Sequence, residues 1–517
     1  MTEQPPHSSP RTWLPDASHY PEQMTPLSAT TWFEAVGAGL HEAMRELRGP
    51  FGGFRTRTDG GWAYEGELQP EWDVDPDGLK TAALALGDRW EDELRPRAHA
   101  ITAEIDRMRP ERPPPGDAQQ LLDRLWELVQ EHWTIHFLVV IPAQIAAEIL
   151  YDRYVELLGE DESDPLAPYR LLEGLPNESV AADTDLWRLA KHATHLDVAA
   201  DLLEFPDASV RSRLALTMPG RLWLHELDRH LIRYGGRAHW HELSLPRESE
   251  SPQLTMASIR LFLQRGEPPH SRAAERDRLE ADVLARAPSI ADVLEPVKRA
   301  HPLKESHTYH IDYPGLQATR NALRAFGRRL AAEGILADPD GVWMLHRQEL
   351  RDALTGSGDS VAALVEQRGA DLRGGRADGA RPYLGEPPED QDRHAALEKF
   401  YGTAGAAGSG PLRGAAASPG VAEGPACVVS GADDFARVQA GDVLVATTTT
   451  PAWTPLFPSL AALVTDTGGI LSHAAVIARE YGIPAVVGAG GATAAISDGQ
   501  RLRVDGGRGE VTVIPSS

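Results

Sequence analysis

The chain of 517 residues contains a single cysteine, Cys427, so no internal disulfide can form and a scaffold of stapled loops is excluded. Basic residues are also short, 51 against 76 acidic ones, for a formal charge of −25. That sign repels nucleic acid and anionic membrane over long range, so neither is expected as a partner, although a local basic pocket for an anion remains possible. The longest apolar run, Phe137 to Ile149, is broken by Pro142, Gln144 and Glu148 and reads as too short and too polar to span a bilayer. The N-terminus, Met1-Thr-Glu-Gln-Pro-Pro, lacks a charged region followed by an apolar one, and the expectation is a cytoplasmic protein. Gly-x-x-x-x-Gly-Lys-Ser/Thr loops, Gly-x-Ser-x-Gly elbows and solenoid repeats are all missing. What is there, 42% hydrophobic and 25% charged residues, suits a globular chain of two or more domains.

Residues 1 to about 20 read as irregular, with Trp13, Asp16 and His19 as possible anchors. Met24-Thr-Pro-Leu-Ser28 then opens a helix to about Leu47, with Pro26 early and Trp32, Val36, Leu40 and Met44 on one stripe. Phe54-Arg-Thr-Arg and Trp62-Ala-Tyr-Glu alternate around Asp59-Gly60-Gly61, a hairpin signal. From Asp77 to Asp201 the pattern is largely helical, including Ala118 to His132 and Trp133 to Leu158 as separate segments; further helices are expected between Leu222 and Ala353. Between about 369 and 411 the composition shifts to Gly, Ala and Pro, and Gly402 to Gly410 has the makeup of a flexible tether. The expected fold is therefore multidomain. A mainly α-helical body with a small β-hairpin occupies 1–368, a linker 369–411, and a compact β/α domain 412–517.

The stretch from Val464 to Gly488 carries the chemistry. An apolar strand ends at Asp466, Gly468-Gly469 make a tight turn, and Ser472 caps a helix that stops at Gly482 before Pro484. His473 falls in the first helical turn, where unpaired N–H groups and the helix dipole favour phosphate. A nucleophilic ring nitrogen there can take a phosphoryl group and pass it on. Gly468-Gly469-x-x-Ser472-His473-Ala474-Ala475-x-x-Ala478-Arg479-Glu480-x-Gly482-Ile483-Pro484-Ala485 resembles the phosphohistidine motif of the phosphoenolpyruvate-utilising enzymes. By that resemblance 412–517 is a swivelling domain, His473 the phosphoryl carrier, and Gly468, Gly469 and Ser472 the support of its loop. Arg479 lies well round the helix from His473 and reads as a structural salt link.

The helical body is similar to the substrate domain of rifampicin phosphotransferase-like members through Met24-Thr-Pro-Leu, Tyr234-Gly-Gly-Arg with Glu242, Lys304-Glu305 and Val342-Trp-Met-Leu. Its pocket candidates are Arg237, His239, His241 and Glu242 after a glycine turn, and Lys304, Glu305, His307 and His310 ahead of Asp312, as cations and a base around an acceptor. No metal site is expected: His225 and His230 lie about 140° apart round a helix, and His132 and His136, one turn apart, show no third ligand. The resemblance implies that His473 faces the cleft of the helical body in at least one state. It also implies a phosphotransferase component acting on a small-molecule substrate, binding no cofactor itself, with ATP and Mg on a separate ATP-grasp partner, as in phenylphosphate synthase. Two alternatives stay open, an ATP-independent lyase or dehydratase and a non-catalytic regulatory module.

Overall fold

The computed structural model describes residues 10–16, 19–108, 117–160, 166–237, 241–269, 271–356, 361–374, 379–387 and 412–514. The chain divides into two compact units, one of Met1–Asp152, Trp240–Leu245 and Asp292–Asp390, the other of Arg153–His239, Pro246–Ala291 and Gln391–Ser517. This differs from the expected division. Helices between 153 and 291 share a unit with the C-terminal β/α domain because the contacts that group them are long-range, and composition does not register them. The expected linker also begins too early: Ala362–Gly374 is a helix and Leu384–Gly385 a strand. The Gly402–Gly410 tether lies outside the described residues.

In the first unit, β1 (Thr12–Pro15), β2 (Phe54–Asp59), β3 (Trp62–Glu67) and β4 (Leu384–Gly385) form an antiparallel sheet in the order β2-β3-β1-β4. Gly60 and Gly61, at φ 58° and 86°, make the two-residue turn that pairs Asp59 with Trp62; both angles suit glycine, and this turn's twist matches the strands. Strand β1 replaces the irregular N-terminus that the sequence suggests. Its alternation is too short to signal itself, and it is held by β3 on one side and β4 on the other.

Thr25 caps the helix that starts at Pro26, passes through a π turn at Ala29–Phe33 and continues as Glu34–Glu46, with Trp32 and Phe33 fully buried. Asp117–Leu158 is one helix of 42 residues running through Pro142, not two. By length and composition it is apolar enough to cross a membrane, contrary to the expectation, and most of that apolar stretch is buried within the protein. Leu125, Val129, Ile135 and Val139 all face the core.

The second unit has two cores. Helices Glu178–His195, Met218–Tyr234 and Gln253–Arg265 bury Leu186, Leu189, Trp223, Leu227, Ile259 and Phe262 among themselves. The other core lies against a sheet of eight strands: β5 (Leu412–Arg413), β6 (Ala415–Ser418), β7 (Val421–Val429), β8 (Val443–Ala446), β9 (Ala462–Thr465), β10 (Ala485–Val487), β11 (Arg501–Asp505) and β12 (Glu510–Val513), in the order β5-β12-β11-β7-β8-β9-β10-β6. Strands β7 to β10 are parallel and the remainder antiparallel. Parallel strands are covered on both faces, which explains why β8, β9 and β10 are buried at every residue.

Candidate functional site

Helix His473–Tyr481 connects β9 to its parallel neighbour β10. Its N-terminus therefore lies at the carboxyl end of the parallel strands, where open α/β sheets bind their ligands. Asp466 and Thr467 extend the β9 end alongside β8, their N–H groups donating to the Ala446 and Thr447 carbonyls at 3.0 Å each. Gly468 then turns at φ 110°, and a Cβ there would meet the Ser472 Oγ at 3.0 Å, so this position needs glycine. Gly469 has no such backbone demand, but its carbonyl accepts from the Ser472 N–H at 3.0 Å. Ser472 caps the helix, its Oγ accepting from the Ala475 N–H at 3.4 Å.

His473 is half-buried. The hydroxyl of the fully buried Thr454 lies 3.3 Å from its Nε2, and the Phe457 ring stands edge-on at 6.2 Å. Sequence reasoning misses Thr454, although it belongs to the hydroxyl-rich run Thr447 to Pro455 directly after β8. Its contact restrains the ring. Replacing Thr454 by Val, nearly the same shape, is expected to slow phosphoryl transfer about five- to tenfold, the worth of one hydrogen bond near 1 kcal/mol; single-turnover kinetics measures it, and an unchanged rate removes Thr454 from the site.

The far end of this helix is anchored within its own unit. Glu480 accepts from the Gly174 N–H at 2.7 Å, and the Tyr481 hydroxyl donates to Asp183, whose carboxyl burial has pushed up to about 7. Arg479, expected as a structural salt link, has backbone partners. It is buried and donates to the carbonyls of Ala417 and Ile470 at 2.8 Å each, so it ties the start of the helix to β6.

In the first unit two histidines of the body meet at Asp312. The His136 Nδ1 is 2.7 Å and the His307 Nε2 3.5 Å from its two carboxylate oxygens, with the two rings 4.7 Å apart. Burial would raise the Asp312 carboxyl, but the two imidazoles hold it well below the usual carboxylate range. Burial likewise opposes charge on His307, and Asp312 outweighs it, so the His307 pKa is raised; at His136 burial prevails and the pKa is lowered. Lys304 and Glu305 are buried on the same helix as His307 and meet at 3.5 Å. His241 and Trp133 link this group by aromatic contacts to Tyr20, which lines a cavity of about 440 Å³ together with Thr25, Trp62 and Glu242. That volume suits a small molecule.

The eight pocket residues expected from the sequence do not stay together. Lys304, Glu305 and His307 share helix Leu303–His310, where His307 meets Asp312, and His241 and Glu242 belong to the same unit. His310 turns away to Trp90 and His99. Arg237 belongs to the other unit, fully buried and donating to the Tyr234 carbonyl at 3.1 Å and to Thr255 at 3.4 Å; it is a core pin, and glycine-turn spacing alone does not distinguish a pin from a pocket wall. His239 lies outside the described residues. His136 and Asp312 escape sequence reasoning as pocket residues, since they are 176 positions apart and neither has a local motif.

A glycine turn and a capped histidine thus stand at the carboxyl edge of a parallel sheet, in one chain with a buried polar pocket among helices. Residues 438–509 match the mobile domain of the PEP-utilising enzymes, and residues 136–305 match the rifampicin phosphotransferase fourth domain. Both matches are to domains of phosphoenolpyruvate-utilising enzymes and support kinship with that family. It is 31% identical to a phosphotransferase of Bacillus subtilis strain 168 over 74% of its own length and 47% of that protein. A rifampicin phosphotransferase of a Streptomyces species is 28% identical over 95% of this chain and 56% of its own. The chondramide synthase of Chondromyces crocatus is 31% identical over 97% of this chain, which corresponds to 14% of that synthase. The chain thus spans about half the length of these two phosphotransferases.

Proposed function

We propose that this chain is a phosphotransferase component in which His473 receives a phosphoryl group and delivers it to a small-molecule acceptor held by the helical body. The observation that carries this reading is the placement of His473 behind Gly468 and Ser472, at a helix N-terminus and with a restrained ring. The phosphotransferases among its relatives support it. In the transfer step the P–N bond breaks with its electron pair returning to the ring, and a P–O bond forms to the acceptor oxygen. The acceptor's proton ends on the imidazole, which is left neutral. Lys304 supplies a cation for the moving oxygens, and the His136–His307–Asp312 group activates the acceptor. ATP and Mg act on an ATP-grasp partner that loads His473.

Loading and delivery can be tested apart from that partner. Phosphoramidate, a small phosphoryl donor, should add one acid-labile, base-stable phosphoryl group at His473, located by peptide mass spectrometry. Rifampicin is the first acceptor to offer, because relatives carry it in their names. Label placed elsewhere, or on a chain lacking His473, would refute the carrier assignment.

A further inference from the structure

We propose that His136, His307 and Asp312 bind a divalent transition-metal ion of the zinc class. The three come from different parts of the first unit: the long helix, helix Leu303–His310 and the start of helix Asp312–Ala332. Their ligand atoms all lie within 4.8 Å of one another. With metal–ligand bonds of about 2.1 Å, tetrahedral ligand atoms stand about 3.4 Å apart; the 2.7 Å and 3.5 Å spacings to the carboxylate are close to that. Small side-chain rotations would open the triad around an ion.

The support behind the ligands is also in place. The His307 Nδ1 is 2.9 Å from the Leu303 carbonyl. A carbonyl only accepts, so Nδ1 carries a proton and Nε2 is the nitrogen turned to Asp312, the arrangement that orients a ligating histidine once an ion displaces any proton there. A buried carboxylate beside two imidazoles offers one negative charge and two nitrogens to a cation, a donor set that favours zinc, cobalt or ferrous iron over calcium or magnesium.

A second observation is independent of the triad. His132, one turn earlier on the long helix, is 1% exposed, and neither ring nitrogen has a hydrogen-bond partner. Buried polar groups without partners are rare. The helix begun by Asp312 packs directly on this ring, where a Cβ on Gly315 would lie 2.0 Å from the His132 Cε1. A third imidazole is therefore held against the helix that presents the carboxylate. Three protein ligands leave a coordination position for an oxygen ligand. That an acceptor hydroxyl takes this position rests on the function proposed above; ion binding does not.

The test uses the full chain, stripped by chelator and titrated with Co(II) as a spectroscopic probe, then with Zn(II) in competition. One equivalent should bind with visible d–d bands, be displaced by Zn(II), and raise the melting temperature. His307→Ala and the near-isosteric Asp312→Asn should each weaken binding by about a hundredfold or more, while His310→Gln and His473→Ala should leave it unchanged. Binding retained in His473→Ala with no transfer activity would leave the ion site standing whatever the fate of the carrier. Wild type that binds Co(II) no more tightly than Asp312→Asn, with both folded by circular dichroism, would overturn the site and leave a hydrogen-bonded network.

Discussion

His473→Ala is expected to abolish phosphoryl transfer, a loss of at least about a thousandfold, or about 4 kcal/mol of barrier, while the protein keeps its fold. The size follows from covalent catalysis: if the phosphoryl group rests on this nitrogen, its removal eliminates the intermediate. Stability should change little, because the side chain is half-buried and its bond to Thr454 is worth about 1 kcal/mol. His473→Gln keeps a polar side chain of similar reach without a nucleophilic nitrogen and should be equally inactive. Acceptor phosphorylation at the wild-type rate in either variant would show that the phosphoryl group does not pass through this residue.

The turn, cap and helix around His473 are legible in the sequence because their determinants are local. The glycine turn, the serine cap, the helix and the Gly482 stop fall within a few turns of one another, and the structure finds Gly482 at φ 65° with its N–H and that of Ile483 turned back onto the last helical carbonyls. The pocket is only partly legible. Lys304, Glu305 and His307 are dense in polar character, but the residue that organises them, Asp312, carries no signal beyond its place downstream of them. Its partner His136 has only His132 as a helical neighbour, which gives no third ligand, whereas the other two members of the triad come from across the fold. Arg237 shows the opposite failure, since a buried arginine bonded to a carbonyl looks in sequence like one poised for an anion. The two units are not legible at all: Trp240–Leu245 belongs to one while the residues on both sides belong to the other.

The same segment gives the largest expected stability effect, at Glu242. The sequence suggests a pocket wall, and Glu242 does border the 440 Å³ cavity, but its carboxylate is bonded chiefly to the start of the helix that begins at Pro26. It accepts from the Thr25 N–H at 3.2 Å, the Thr25 hydroxyl at 2.8 Å, the Ser28 hydroxyl at 2.6 Å and the Ser244 N–H at 2.9 Å. The Ser28 hydroxyl in turn accepts from the Leu243 N–H at 3.2 Å. Glu242→Ala would leave two main-chain donors and two hydroxyls short of their acceptor in a site only 8% exposed. Each stranded buried donor costs about 1–3 kcal/mol, and water entering from the cavity recovers part of that. The expected net loss is about 3 kcal/mol, which lowers the melting temperature by roughly 5–10 °C. Glu242→Gln keeps the shape and one accepting oxygen but turns an NH₂ toward donors, so it should fall between the two. A catalytic role predicts the reverse ordering, with little thermal effect from alanine and full inactivation by glutamine. Thermal melts of the three proteins, read beside their transfer rates, separate a clamp that holds the pocket wall from a group that acts on the acceptor.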